Sequence, residues 1–163
     1  MSLARRIVFG LHPRRTAVRV LVLAVLAFIT FTWVLLPVRG EGISMEPTYK
    51  SGTMHLVNRL AYSSGGPSRG DIVAIRMPAS RAVYVKRVIG LPGERVEIVK
   101  GRVLVNGQPI AEPYVRSQRP WNLDAVTLGA DQFFVIGDNR GMNLEDHSLG
   151  PVEASRIVGR VLF

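Results

Sequence analysis

Two residues of this chain could together hydrolyse an amide bond: the serine of GISMEPTYKSG (42–52) and the lysine of AVYVKRVIG (82–90). A serine hydroxyl needs a base to take its proton, and histidine is the usual one. The chain has 3 histidines. His12 lies before a long apolar run, His55 follows Ser44 closely, and His147 sits in a loop rich in Gly, Asn and Asp. Each reads as a surface or structural residue rather than a base. Lys86 is the alternative. The alternating faces of its segment are Ala82, Tyr84, Lys86, Val88 and Val83, Val85, Arg87, Ile89. Both are mainly apolar, as in a strand covered on each side. A lysine there either snorkels to the edge or loses its proton, since burial can lower its pKa by up to ~3–5 units. On residues alone the plainer readings stand: Ser44 is a turn residue, and Lys86 is a paired or snorkelling lysine.

The elements that must position the two residues are short. MHLVNRL (54–60), DIVAIRM (71–77) and AVYVKRVIG read as strands, with a Ser/Gly/Pro-rich loop over 63–70. RVEIV (95–99) and RVLVN (102–106) flank Lys100-Gly101 as a hairpin, and Asn106-Gly107 is a further tight turn. FFVIG (133–137) and RIVGRVLF (156–163) complete the set, while 111–130, richer in Pro, Trp and Asn, reads as an extended loop. The fold expected is mostly β, with antiparallel sheets or a partly closed barrel, preceded by one transmembrane α-helix.

That helix is predicted over 20–38, VLVLAVLAFITFTWVLLPV, which has nineteen residues and no charge. At ~1.5 Å per residue it spans about 28 Å, close to the hydrocarbon thickness of a bilayer. A cleavable secretory signal has a shorter apolar region ending in small residues, so an uncleaved anchor is expected. Arg5, Arg6, Arg14, Arg15 and Arg19 precede the run and Arg39 alone follows it. The bias puts residues 1–19 in the cytoplasm and 39–163 on the far side as the folded domain. Ser44 is only the sixth residue after Val38, a reach of ~20 Å at most, which would tether the serine near the membrane surface.

Composition narrows the function classes. The net charge is +9, but without the five N-terminal arginines the 21 Lys and Arg fall to 16, against 12 Asp and Glu. That remainder is scattered and not interleaved with aromatics, which argues against nucleic acid and for a domain beside anionic lipid. The absence of cysteine excludes a disulfide framework, a thiol nucleophile and a cysteine zinc site. No His-x-x-x-His pair suggests a metal, and Gly65-Gly66 is not followed by a helix as a nucleotide loop would be.

Read together, GISMEPT, RGDIVAIRMP, YVKRVIGLPGE, VNGQPIAEPY, GDNR and LGPV…IVGRV resemble, in order and spacing, the sequence boxes of bacterial type I signal peptidases. The resemblance implies a membrane-bound serine endopeptidase of the bacterial cytoplasmic membrane, acting as a monomer with no cofactor or metal. It would remove signal peptides from preproteins emerging from the export machinery. By position, Ser44 is implied as nucleophile and Lys86 as general base, with Met45 packed beside the serine. The Ser44 N–H would be one oxyanion donor. Gly42 stands where many members carry a serine whose hydroxyl is the second. Asp138 and Arg140 fall at positions that brace the site. Ile43, Val83 and Val85 are taken from sequence proximity as walls of pockets favouring alanine one and three residues before the cut.

The segment after GDNR departs from the family. Asn143 replaces a serine that sits against the lysine, Glu145 an aspartate, and His147 an arginine. The Asn143 oxygen could still orient the lysine, and Glu145 could reach Arg140. The departure leaves room for a specialised peptidase, such as one that matures a conjugative pilin, or for an inactive anchored β domain that binds a partner. A self-cleaving repressor-type protein shares the dyad but is soluble, and the apolar span argues against it.

Overall fold

The structure, a computed structural model, describes residues 13–77 and 82–162. Arg5, Arg6, His12 and the final Phe163 lie outside the described residues. The described chain divides between Leu36 and Pro37 into two compact units.

The first unit is helical. Helix α1 covers Pro13–Ile29 and continues in wider π-type turns over Thr30–Val34. The helical stretch Arg14–Val34 is 21 residues long, with an 18-residue window of mean hydropathy 2.3, and its large side chains, among them Leu21, Leu23, Phe28 and Trp33, are exposed. Such a helix is long and apolar enough to cross a bilayer. The predicted boundaries shift: the helix begins before Val20 and stops at Val34. Residues 35–38, read as its last turn, belong to strand β1, Leu35–Arg39. Pro37 disfavours helical backbone at Leu36 and brings no N–H of its own, which accounts for the early stop.

The second unit is built of strands. After β1 come β2 (Met54–Asn58), β3 (Ile72–Arg76), β4 (Val83–Gly90), β5 (Arg95–Val99) and β6 (Arg102–Val105). They are followed by β7 (Gln108–Pro109), β8 (Leu123–Thr127), β9 (Gln132–Ile136), β10 (Gly150–Glu153) and β11 (Ile157–Val161). One sheet runs β1-β2-β11-β3-β4-β9-β10 and the other β7-β6-β5-β8. The expected mostly β, antiparallel architecture is present. Four strands are additional: β1, the short β7, β10, and β8, which lies inside the stretch expected to be a loop.

Strand β9 and the second half of β4 are the centre of the fold because apolar side chains are buried on both their faces. Val88, Phe133 and Val135 join one apolar cluster with Val73, Ile75 and Val152. Ile89, Phe134 and Ile136 join the other, with Val96, Ile98 and Trp121. Two consecutive apolar faces explain why these strands read as continuous hydrophobic runs. Lys86 shares the face of Val88 by alternation, and lies opposite Val73 of β3.

Candidate active site

Three segments of the second unit meet at the site. The β1–β2 loop carries Ser44, β4 carries Lys86, and the turn after β9 carries Gly137 to Arg140. Arg87 of β4 pairs in register with Ile136, the last residue of β9. The chain therefore leaves β9 beside the lysine. The β1–β2 loop is drawn onto that turn by backbone and side-chain bonds together. The Asn139 N–H donates to the Ser44 carbonyl at 3.0 Å, and Asn139 Nδ2 donates to the Ile43 carbonyl at 3.1 Å. Gly137 lets the two segments approach this closely: a Cβ there would lie 2.2 Å from the Ser44 carbonyl oxygen and 2.6 Å from His147 Cε1.

At the centre, Lys86 Nζ donates to Ser44 Oγ at 2.8 Å. Lys86 is only 3% exposed, and burial pulls its pKa down from 10.5 to about 8, with the Asp138 charge acting in the opposite direction. A neutral amine at this distance can accept the serine proton, so the pair is equipped for nucleophilic attack without a histidine.

Asp138 is fixed by partners of its own. Arg87 Nε and Nη2 donate to its two carboxylate oxygens at 2.8 and 2.6 Å, and Thr48 Oγ1 adds a bond at 2.5 Å. Arg87 Nη1 also donates to the Gly70 carbonyl at 2.8 Å, and its guanidinium lies over the Tyr114 ring, 3.9 Å from the centroid. This bidentate, stacked arginine ties the β1–β2 loop, β4 and the turn after β9 into one unit.

Arg140 is fully buried. Its Nε donates to the Gly137 carbonyl at 3.0 Å, and its guanidinium pairs with Glu112. The expected partner, Glu145, is exposed. Asn143 is also exposed, and its Nδ2 donates to Asp146 at 3.1 Å. The two sequence expectations for this segment are therefore corrected: Asn143 turns back on its own loop and does not orient Lys86, and Glu145 does not reach Arg140. Glu112, two loops away in sequence, fills that role because the chain between β7 and β8 folds over the arginine.

Of the two readings open to His147, surface or structural, the structure takes the second. It is buried, packs edge-on against Trp121 at 5.0 Å between ring centroids, and its Nε2 lies 3.2 Å from the Asn139 carbonyl. Burial, reinforced by the Lys86 charge, pulls its pKa down to about 4. The ring is thus neutral near pH 7, and its Nε2–H donates to the carbonyl of the residue that clamps Ser44. His55 is likewise buried, against Tyr49 at 4.2 Å between centroids, with its Nε2 2.7 Å from Thr53 Oγ1.

A cleft of about 360 Å³ opens on Ser44, with Met45, Tyr49, His55, Val83 and Val85 among its walls. Met45 is buried in its floor. Val83 and Val85 are among the residues lining this cleft, whereas Ile43 is exposed outside the lining. Gly42 takes the positive φ of 95° that favours glycine, and its N–H is bonded to Ser51 Oγ at 3.2 Å. Beside the cleft, β4 is paired with β3 from Val83 to Arg87, but its ladder with β9 begins only at Arg87. Among the described residues, the backbone from Val83 to Lys86 thus has an unpaired side.

A buried lysine against a serine, beside a strand with an open side, defines a candidate Ser/Lys hydrolytic centre. Residues 14–163 match the model of the family described as Signal peptidase, peptidase S26, and the chain belongs to that family. It is 37% identical over 127 residues to Signal peptidase I of Leptolyngbya laminosa, covering 73% of this chain and 63% of that protein. It is 35% identical over 158 residues to Signal peptidase I of Bacillus amyloliquefaciens, covering 88% of this chain and 80% of that one. A crystal structure of a signal peptidase I from Enterococcus faecalis V583 is 30% identical. It aligns over 60% of this chain and 97% of that one, with a TM-score of 0.49. The chain thus spans less than two thirds of the Leptolyngbya protein and four fifths of the Bacillus one. Family and apolar helix together are consistent with a membrane-anchored protein.

Arg87, Glu112 and Asn139 are the site features that sequence reasoning missed. Asn139 stands inside the GDNR motif and Arg87 directly follows Lys86, so both were within reach. Glu112 had no local signal.

Proposed function

We propose that this protein is a membrane-anchored serine endopeptidase that removes signal peptides from exported preproteins at small-x-small sites. The observation that carries the reading is the 2.8 Å contact between Lys86 Nζ and Ser44 Oγ, made by a buried lysine. Ser44 Oγ attacks the scissile carbonyl as its proton passes to Lys86. The Ser44 N–H donates to the oxyanion of the tetrahedral intermediate, a contribution whose loss typically costs ~3–4 kcal/mol. Lys86 then gives the proton to the departing amine, leaving an ester on Ser44. A water activated by Lys86 hydrolyses that ester and restores the serine.

The unpaired side of Val83 to Lys86 supports binding of the preprotein as an added strand, with backbone pairing for affinity and the cleft for side chains. The arginines on the N-terminal side of the apolar run support an N-terminus in the cytoplasm and a catalytic domain on the far side. The partners are the signal peptide and the bilayer, and the protein acts as a monomer.

The test is incubation of the detergent-solubilised full chain with a preprotein carrying an Ala-x-Ala site, followed by N-terminal sequencing of the product. The expected result is one cut after the second alanine, absent in Ser44→Ala and in Lys86→Ala. An intact preprotein after incubation with folded wild type would contradict the proposal and favour an anchored binding domain.

A further inference from the structure

Two clefts meet at the dyad, and they divide it. The first opens on Ser44 and not on Lys86. The second, of about 260 Å³, opens on Lys86 and not on Ser44. Tyr84 is common to both, and the bond between Nζ and Oγ joins them. The two openings have different chemical meanings for a dyad of this kind. The carbonyl carbon must reach Ser44 Oγ, whereas the amine that departs must take its proton from the group that removed it from the serine. That group is Lys86. The nitrogen of the leaving segment therefore comes to the lysine, and the chain that follows it continues on the lysine's side.

We infer that the second cleft receives the first side chain after the scissile bond, and that it selects an apolar residue there. Apart from Lys86 itself, its walls are Ile75 and Met77 at the end of β3, Val135 of β9, and Leu149, Pro151 and Val152 at the start of β10, with Ser148 at the rim. Lys86 is the one charged group among these walls. An aspartate or lysine side chain entering this space would lose its hydration with only the dyad amine as company. A leucine or methionine would bury against five aliphatic neighbours and Met77. Pockets of this kind separate side chains by about tenfold or more. The inference rests on the peptidase reading and extends it to the mature side of the substrate.

The experiment uses the full chain in detergent and a set of preproteins with one Ala-x-Ala site and Gly, Ala, Leu, Met, Asp or Lys immediately after it. Relative kcat/KM is measured for wild type and for Ser148→Trp, which places an indole at the exposed rim of the second cleft. The expected result is a preference of about tenfold for Leu and Met over Asp and Lys in wild type. In Ser148→Trp the ratio of Leu to Gly falls by a similar factor. Wild-type cleavage indifferent to the residue after the bond, within about twofold, overturns the cleft assignment and leaves the peptidase standing. An unchanged Leu to Gly ratio in Ser148→Trp also overturns it. Cleavage of none of the set overturns the peptidase reading, and this inference with it.

Discussion

Lys86 Nζ and Ser44 Oγ, 42 residues apart in sequence, are 2.8 Å apart in the fold, and the lysine end of the bond is buried. The lysine shares its strand face with Val88 and sits opposite Val73, both fully buried. A charged amine is poorly accommodated there, and the same burial that makes it a base makes it a burden on the fold.

The first prediction follows from that burden. With the folded pKa about 8 against 10.5 for an ordinary lysine, the unfolded chain holds an extra proton between those values. Stability therefore rises with pH across that window, and below about 8 the buried ammonium costs about 3 kcal/mol. Lys86→Met, of similar reach and apolar, removes this cost. Calorimetry of the detergent-solubilised protein at pH 7 is expected to show a Tm several degrees above wild type, with the gap closing towards pH 10.5. An equal or lower Tm at pH 7 would contradict the buried-charge account.

Gly137 is where two segments press together. Its missing Cβ leaves room for the Ser44 carbonyl and the His147 ring at distances no side chain tolerates. Gly137→Ala is expected to push the Ser44 loop away from Lys86 and to lower the cleavage rate about hundredfold, as misplacements near 1 Å do. Activity within about threefold of wild type would show that the loop can shift without loss.

Buried and exposed acids near Arg140 are expected to behave oppositely. Glu112→Ala strands a fully buried guanidinium, and should cost ~3–5 kcal/mol in urea unfolding. Glu145→Ala and Asn143→Ala alter exposed side chains, and should each stay within about 0.5 kcal/mol. If Glu145→Ala were the damaging change, the pairing of Arg140 would have to be reassigned.

Which parts of this arrangement were legible in the sequence follows from where the information lies. The alternation around Lys86 suggests a covered strand but leaves the lysine as a paired or snorkelling one; its role as a base is implied only by the resemblance of the sequence boxes read together. The hairpin at Lys100-Gly101 and the turn at Asn106-Gly107 follow from local backbone preference, and the residues Lys100 and Asn106 do take positive φ. Strand β8 was missed because LDAVT carries an aspartate and sits among prolines and asparagines. It forms through pairing with β5, which is a tertiary event. Strand β1 was hidden because Leu35, Leu36 and Val38 continue an apolar run without a change of composition. Sequence leaves His147 as a surface or structural residue, and the fold settles on the structural one: its neighbours Asp146 and Ser148 are exposed while Trp121 packs on the ring. The partner of Arg140 could not be found locally, since 28 residues separate it from Glu112.

The most direct test of the central claim is the pH dependence of kcat/KM for an Ala-x-Ala preprotein between pH 6 and 10, with Lys86→Ala alongside. Wild-type activity is expected to rise tenfold per unit below about 8, the folded pKa of Lys86, and then to level, because only the free amine can take the serine proton. Lys86→Ala is expected to be silent throughout. His147, with its pKa near 4, is already neutral over this range and contributes no limb. A profile flat from pH 6 to 10, or a Lys86→Ala variant that still cuts, would contradict the assignment of Lys86 as the base that activates Ser44.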